Sequence, residues 1–155
     1  MSVLGLDHAG LTVASLDRSL YEGLLGLPVA GISLEESPEI VAAVGHPGAR
    51  LRIADLAVPS GGVLELMQYE VPDDVPVAAR HTPAGTSHIA LAVAGLSELH
   101  ARLVAAGADL ISTGPVEILA SAGWEGVVVL YLRDPDGNVI ELIDRPAAAE
   151  FVRLT

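Results

Sequence analysis

The stretch that decides the fold is YLRDPDGNVIEL, residues 131–142. Its opening residues have the apolar and aromatic content of a β-strand, and the DPDG that follows has the composition of a tight turn. After the turn the residues alternate, so that Ile140 and Leu142 share one face of the next strand while Glu141 lies on the other. The stretch therefore predicts two strands joined by a tight turn, with a carboxylate opposite the apolar face.

This stretch is part of an internal repeat. The aligned segments are DHAGLTVASL and SHIALAVAGL, residues 7–16 and 87–96, and GGVLELM and GNVIELI, residues 61–67 and 137–143. The alignment places His8 over His88 and Glu65 over Glu141. All four segments alternate with the period of a half-buried strand, and their His or Glu lies opposite the large apolar residues. Each half therefore opens with a His-bearing strand and closes with a Glu-bearing strand.

Between these two strands, each half has the pattern of one helix followed by two more strands. In the first half, Ser15 or Asp17 is expected to cap a helix that ends at Gly26. In the second half, Ser97 is expected to cap a helix that ends at Gly107. The remaining predicted strands cover about residues 29–34, 49–58, 109–112 and 126–133.

Each half is thus predicted to be a βαβββ module, and the fold class is predicted to be α+β. The predicted boundaries are residues 1–72 and 85–145 for the two modules, 73–84 for a linker and 146–155 for a tail, all within one domain.

A further short helix is expected in the first half, because Ser37 suits the cap, Pro38 the first helical position and Gly45 the residue just past the end.

Composition narrows the classes of function. The 155-residue chain has 8 Lys and Arg against 20 Asp and Glu, a net charge of −12, which argues against binding nucleic acid through its phosphates. The apolar runs stop short of the roughly 18 residues that span a bilayer, and no basic-then-apolar leader opens the chain. A cytoplasmic protein without a membrane partner is therefore expected. Because cysteine is absent, any metal must be held by His, Asp, Glu or backbone oxygen.

The candidate metal ligands are His8, Glu65, His88 and Glu141. A lone His or Glu on a strand is most often structural, but four at equivalent places on a strand face would be costly unless they are paired or coordinated. Two imidazoles and two carboxylates suit one divalent ion, Ni, Co, Mn, Fe or Zn, and leave positions open for water or substrate. The remaining histidines, which no repeat supports, are His46, His81 and His100. Of these, the last is expected to be exposed on a helix.

The paired modules resemble the vicinal oxygen chelate superfamily, which includes glyoxalase I, methylmalonyl-CoA epimerase, extradiol dioxygenases and the bleomycin and fosfomycin resistance proteins. The motifs that carry the resemblance are residues 7–13, 64–66, 87–93 and 131–142, and the resemblance covers about residues 4–145. It implies that the sheets form a U-shaped, partly closed cleft around the metal, with the helices outside. It also implies a small-molecule substrate and a homodimer.

The His, Glu, His, Glu set is similar to that of glyoxalase I, whereas the epimerases often carry Gln where Glu65 stands. The resemblance implies a metal-dependent lyase or isomerase that stabilises an enolate of a small carbonyl substrate. It makes Glu141 the first candidate for the catalytic base and Glu65 the second. Two alternatives are a metal-independent antibiotic- or metabolite-binding resistance protein and an Fe(II) extradiol-type dioxygenase that uses His8, His88 and Glu141. No motif identifies the substrate-binding residues.

Overall fold

The structure is a computed structural model that describes residues 5–45, 47–70, 84–119 and 124–145. The chain divides into two compact units, residues 1–77 and 78–155, so the division falls between the two halves of the repeat. The predicted tail, and all of the predicted linker except Ala84, lie outside the described residues. Among the described helices, none is long and apolar enough to cross a membrane.

The first unit contains a four-stranded mixed sheet. Its strands are β1 (His8–Thr12), β2 (Val29–Glu35), β3 (Arg50–Ala57) and β4 (Val63–Glu70), in the order β1-β4-β3-β2. Strand β1 lies parallel to β4, and the other neighbours are antiparallel. The first and last strands of the module are therefore side by side, which confirms the βαβββ prediction for this half.

The second unit repeats this arrangement. Its strands are β5 (His88–Val93), β6 (Asp109–Leu110), β7 (Val116–Glu117), β8 (Val128–Arg133) and β9 (Val139–Asp144), in the order β5-β9-β8-β6, with β7 also paired to β8. Strand β5 is parallel to β9, as β1 is to β4. Two mixed sheets with few helices confirm the predicted α+β class.

The strand predicted over residues 109–112 is wrong in its length. The structure has two short strands, β6 and β7, which pair one after the other with β8. Between them, the N–H groups of Ile111 and Ser112 both donate to the carbonyl of Tyr131, and the N–H of Tyr131 donates to the Ser112 hydroxyl. The Ser112 side chain thus takes over a hydrogen bond that a regular ladder would give to the backbone, and β6 ends there.

The first-half helix is shorter and wider than predicted. It is a single π-helical segment, Ser19–Leu24, in which the N–H of Leu25 donates to the carbonyl of Leu20, five residues earlier. Neither predicted cap is at the cap position, which Arg18 occupies without a side-chain cap hydrogen bond. Asp17, one residue earlier, accepts a hydrogen bond from the N–H of Ser19 at 3.0 Å. Helix α1 (Pro38–Val44) begins and ends as predicted, with the Ser37 hydroxyl accepting from the N–H of Ile40.

Helix α2 (Leu96–Ala105) is not capped by Ser97, so that prediction is wrong. Ser97 lies inside the first turn, and Gly95 precedes the helix in the left-handed conformation with a φ of 73°. The N–H of Leu96 instead donates to Oδ2 of Asp144, the last residue of β9, at 2.9 Å. A carboxylate 48 residues away along the chain therefore caps the N-terminus of this helix and links the helix to the sheet.

The apolar faces of both sheets are buried as the alternation predicts. Leu64 and Leu66 of β4, and Ile140 and Leu142 of β9, are fully buried. In β1 and β5 the exposed residues alternate with less exposed ones, and His8 and His88 are on the exposed side. Burial of each such Leu or Ile contributes about 1.5–3 kcal/mol, so the apolar face sets which way the His and Glu side chains of these strands point.

Replacement of Asp144 by Ala is expected to lower the free energy of unfolding by about 1 kcal/mol, because the N–H of Leu96 loses its acceptor. Ser97→Ala is the matched control, since it removes the hydroxyl that sequence favours as the cap, and it is expected to change stability by less than about 0.5 kcal/mol. Urea unfolding followed by circular dichroism measures both. A larger loss in Ser97→Ala than in Asp144→Ala would contradict this assignment of the cap.

Candidate metal centre

In the first unit, His8 and Glu65 form a close pair. The parallel register places His8 opposite Val63, so Glu65 is two residues further along the neighbouring strand and on the same face. The imidazole Nε2 of His8 is 3.4 Å from Oε2 of Glu65. The His8 side chain is 44% exposed and the Glu65 side chain 21%, so the pair lies at the surface of its unit and can be reached from solvent.

The second unit contains the same pair at the equivalent place. His88 lies opposite Val139 in the parallel register, and Glu141 follows two residues later. Nε2 of His88 is 3.2 Å from Oε2 of Glu141. The imidazole is 46% exposed and the carboxylate 10%, so this Glu is the more buried of the two. The repeat in the sequence is thus a repeat in side-chain geometry.

His8 has a second carboxylate neighbour. Its Nδ1 is 2.9 Å from Oδ1 of Asp7. This hydrogen bond, together with the negative charges of Glu65 and Asp55, raises the pKa of the His8 imidazole above its ordinary value of 6.5. When Nδ1 donates to Asp7 in the neutral imidazole, the lone pair of Nε2 faces Glu65. This is the orientation that a metal-binding histidine requires.

A third carboxylate, that of Asp55, lies beside the first pair. Asp55 on β3 is directly opposite Glu65 on β4, so the two side chains share a face. Two like charges directly opposite each other destabilise a sheet. Oδ1 of Asp55 is buried and, among the described atoms, has no hydrogen-bond partner. The carboxylates of Asp7, Asp55 and Glu65 are thus all neighbours of the His8 imidazole or of its partner.

The corresponding position in the second unit is Tyr131. It lies on β8 directly opposite Glu141 on β9. Burial, followed by a hydrogen bond to Glu141, raises the pKa of the Tyr131 hydroxyl to about 12, so the hydroxyl remains a donor at ordinary pH. Its ring also meets the His88 ring edge-on, with 5.6 Å between the ring centroids. Tyr131 thus contacts both members of the second pair.

The four predicted ligands are found as two pairs, each within its own unit. Within the described ranges, no three His, Asp or Glu side chains form a group that could hold a metal ion. The joint use of His8, Glu65, His88 and Glu141 therefore stays a prediction. His46 and His81 lie outside the described residues, and His100 is partly buried on α2 rather than exposed as expected.

Asp7, Asp55 and Tyr131 were not predicted as members of the site. The positions of Asp55 and Tyr131 could have been predicted from the lengths of the turns that join their strands to the Glu-bearing strands. The turn after Arg133 pairs that residue with Val139, and moving two residues away from the turn along each strand pairs Tyr131 with Glu141. Moving away in the same way from the β3–β4 turn pairs Asp55 with Glu65. Residue type alone gave no such signal, because it does not say which residue lies opposite on the neighbouring strand.

Comparison with known proteins agrees with this architecture. Residues 5–142 match the family described as the Glyoxalase/Bleomycin resistance protein/Dioxygenase superfamily. The virulence protein STM3117 of Salmonella typhimurium is 26% identical over 139 residues, which cover 88% of this chain and 81% of that protein. A glyoxalase family protein from Bacillus cereus has a TM-score of 0.79 and 22% identity, covering 93% of this chain and 95% of that chain.

The trypanothione-dependent glyoxalase I of Leishmania major has a TM-score of 0.57 and 24% identity, covering 88% of this chain and 84% of that chain. At these identities the solved structures show that the fold is shared. The family match extends over nearly the whole of both repeats and confirms the superfamily that the motifs predict. This chain belongs to the glyoxalase/bleomycin resistance protein/dioxygenase superfamily.

Proposed function

We propose that this protein is a divalent-metal-dependent lyase or isomerase that stabilises an enolate of a small carbonyl substrate. The metal ligands in this proposal are His8, Glu65, His88 and Glu141. The observation that carries it is the matched pair geometry, with Nε2–Oε2 distances of 3.4 Å and 3.2 Å at equivalent positions of two sheets of the same topology. In both pairs a half-exposed imidazole contacts a more buried carboxylate, which is costly to bury unless it is paired or coordinated.

The side chains around the first pair fit a bound cation. Neutral imidazole nitrogen and carboxylate oxygen are the donors that Ni, Co, Mn, Fe and Zn accept. Asp55 adds a buried oxygen without a hydrogen-bond partner among the described atoms, directly opposite another carboxylate. A divalent charge would offset the repulsion between these two carboxylates. The donor set and the excess of negative charge thus both support a divalent ion.

A bound divalent ion supplies Lewis acidity, which polarises a substrate carbonyl and makes the adjacent C–H more acidic. The chain itself supplies the base, either Glu141 or Glu65. A carboxylate of one of these residues would take the proton next to the carbonyl and return it to the substrate at the same or a neighbouring atom. The Glu65 side chain is 21% exposed and that of Glu141 10%, while the imidazole beside each is about half exposed, so solvent reaches both pairs from the histidine side.

Metal binding is the first expected outcome. The purified protein, freed of metal and titrated with Co²⁺ or Zn²⁺ in a calorimeter, is expected to bind the ion, and His8→Ala or His88→Ala should weaken binding by at least about 100-fold. His100→Ala is the matched control, because it removes an imidazole from α2 and is expected to leave the affinity unchanged. Equal affinities in wild type, His8→Ala and His88→Ala would contradict the ligand assignment.

Slower exchange of the substrate α-proton on loss of the base is the second expected outcome. Exchange of the substrate α-proton with D₂O, followed by NMR across a panel of hemithioacetals and acyl thioesters, reports proton removal directly. Glu141→Gln or Glu65→Gln should slow exchange by about 10²–10⁴-fold, and removal of metal by EDTA should abolish it. Tight binding of a small molecule that persists in EDTA would instead favour a binding protein, and O₂ uptake with catechols would favour a dioxygenase.

The pH dependence of metal binding is the third expected outcome. Protons compete with the metal for Nε2 of His8, so affinity should fall as the pH drops through the raised pKa of this imidazole. Asp7→Ala removes the largest cause of the raised pKa and should move that fall to lower pH. NMR titration of the His8 ring in the metal-free protein measures the pKa directly. Glu98→Ala, on α2, is the control, and an unchanged His8 pKa in Asp7→Ala would contradict this account.

A further inference from the structure

The pairing and packing of β8 determine the face on which the Tyr131 side chain lies. Strand β8 pairs with β9 over six residues, and its Leu130 and Leu132 are fully buried on the opposite face. These two leucines hold the strand against the core, so the Tyr131 side chain must project on the face that bears Glu141. The Tyr131 side chain lies directly opposite Glu141 on β9, and its ring edge lies against His88, with 5.6 Å between the ring centroids. One side chain therefore restrains both members of the second pair.

The first unit lacks this restraint. At the same register position it has Asp55, directly opposite Glu65, which supplies a second carboxylate and neither a phenolic hydroxyl nor a ring. The Glu65 side chain is also twice as exposed as that of Glu141, at 21% against 10%. The two pairs, alike in distance, thus differ in what holds them: a hydroxyl donor and an aromatic ring in one, and a second acceptor in the other.

We propose that Tyr131 is a positioning residue that prearranges His88 and Glu141 as the tighter half of the metal site. The inference rests on the proposed function, because it assigns these two side chains to the metal. A phenol directly opposite Glu141 can donate to its carboxylate and so restrict its rotation, and the ring edge restricts that of His88. Less side-chain entropy is then lost when the ion binds, as is usual for groups that orient metal ligands from outside the coordination sphere.

The test compares Tyr131→Phe with Tyr69→Phe in the metal-free full-length protein. Both substitutions remove one phenolic hydroxyl, but Tyr69 belongs to the first unit, where it lies four residues beyond Glu65 on β4 and opposite Leu51. Tyr131→Phe keeps the ring and so preserves the fold, which thermal melting checks. Titration with Co²⁺ should show affinity reduced about 10- to 100-fold in Tyr131→Phe, with a changed Co²⁺ visible absorption spectrum. Tyr69→Phe should match the wild type in both.

A double-mutant cycle separates positioning from a general loss of stability. In a His8→Ala background, which leaves the second pair intact, Tyr131→Phe should still weaken Co²⁺ binding by a similar factor. In a His88→Ala background, the effect should shrink to less than about twofold, because the pair that Tyr131 orients is already broken. Equal losses in both backgrounds would overturn the positioning role.

Different results would overturn the role of Tyr131 and the proposed function. If the wild type binds Co²⁺ and Tyr131→Phe binds it with unchanged affinity and spectrum, the role of Tyr131 is overturned and the proposed function stands. If the wild type binds no divalent ion, the proposed function is overturned, and the role of Tyr131 is overturned with it.

Discussion

In each sheet, the first strand of the module lies parallel to the last, with His8 opposite Val63 and His88 opposite Val139. This register places each imidazole diagonally across from a carboxylate two residues further along the neighbouring strand. Because side chains alternate along a strand, a slip of one residue would turn the Glu to the apolar face and a leucine or isoleucine to the open one. The candidate site therefore depends on the parallel pairing more than on any single side chain.

In the second unit, the antiparallel pairing of the last two strands is secured by the turn that joins them. Asp134 is 3% exposed, and its Oδ1 accepts from the N–H groups of Asp136 and Asn138 at 3.0 Å and 2.7 Å. Its Oδ2 accepts from the Asn138 amide at 2.9 Å. Gly137 adopts a φ of 89°, which a residue with a side chain would reach only with strain. The turn thus pairs Arg133 with Val139, and that pairing in turn places Tyr131 opposite Glu141.

The two halves share topology but not chemistry. The first pair is surrounded by carboxylates, from Asp7 beside His8 and Asp55 opposite Glu65, and so accumulates negative charge on an exposed sheet face. The second pair is neighboured by a phenol that donates rather than accepts. A duplicated module thus surrounds one His–Glu pair with further carboxylates and places a tyrosine beside the other. This division underlies the roles proposed for both.

Much of the fold was accessible from residue patterns. The repeat, the alternation and the DPDG turn predicted the βαβββ element order and the face of each His and Glu opposite the large apolar residues, and the motifs predicted the superfamily. Predictions of caps and strand ends from residue type were less reliable where a residue distant in the sequence forms the hydrogen bond instead. Ser97 has the residue type of a cap, but Asp144 reaches the helix end from another strand. The predicted strand over residues 109–112 is shortened because the Ser112 hydroxyl binds the backbone of β8.

The sequence by itself determined the four candidate ligands and the faces on which they lie, because period-2 alternation and an internal repeat are properties of the chain alone. Only the tertiary structure decided which neighbours those ligands have. Asp55 and Tyr131 come into the site through cross-strand register, and register depends on turn geometry and on core packing rather than on the residues at the site. The same reason explains why two halves with matching ligands acquired different electrostatic surroundings.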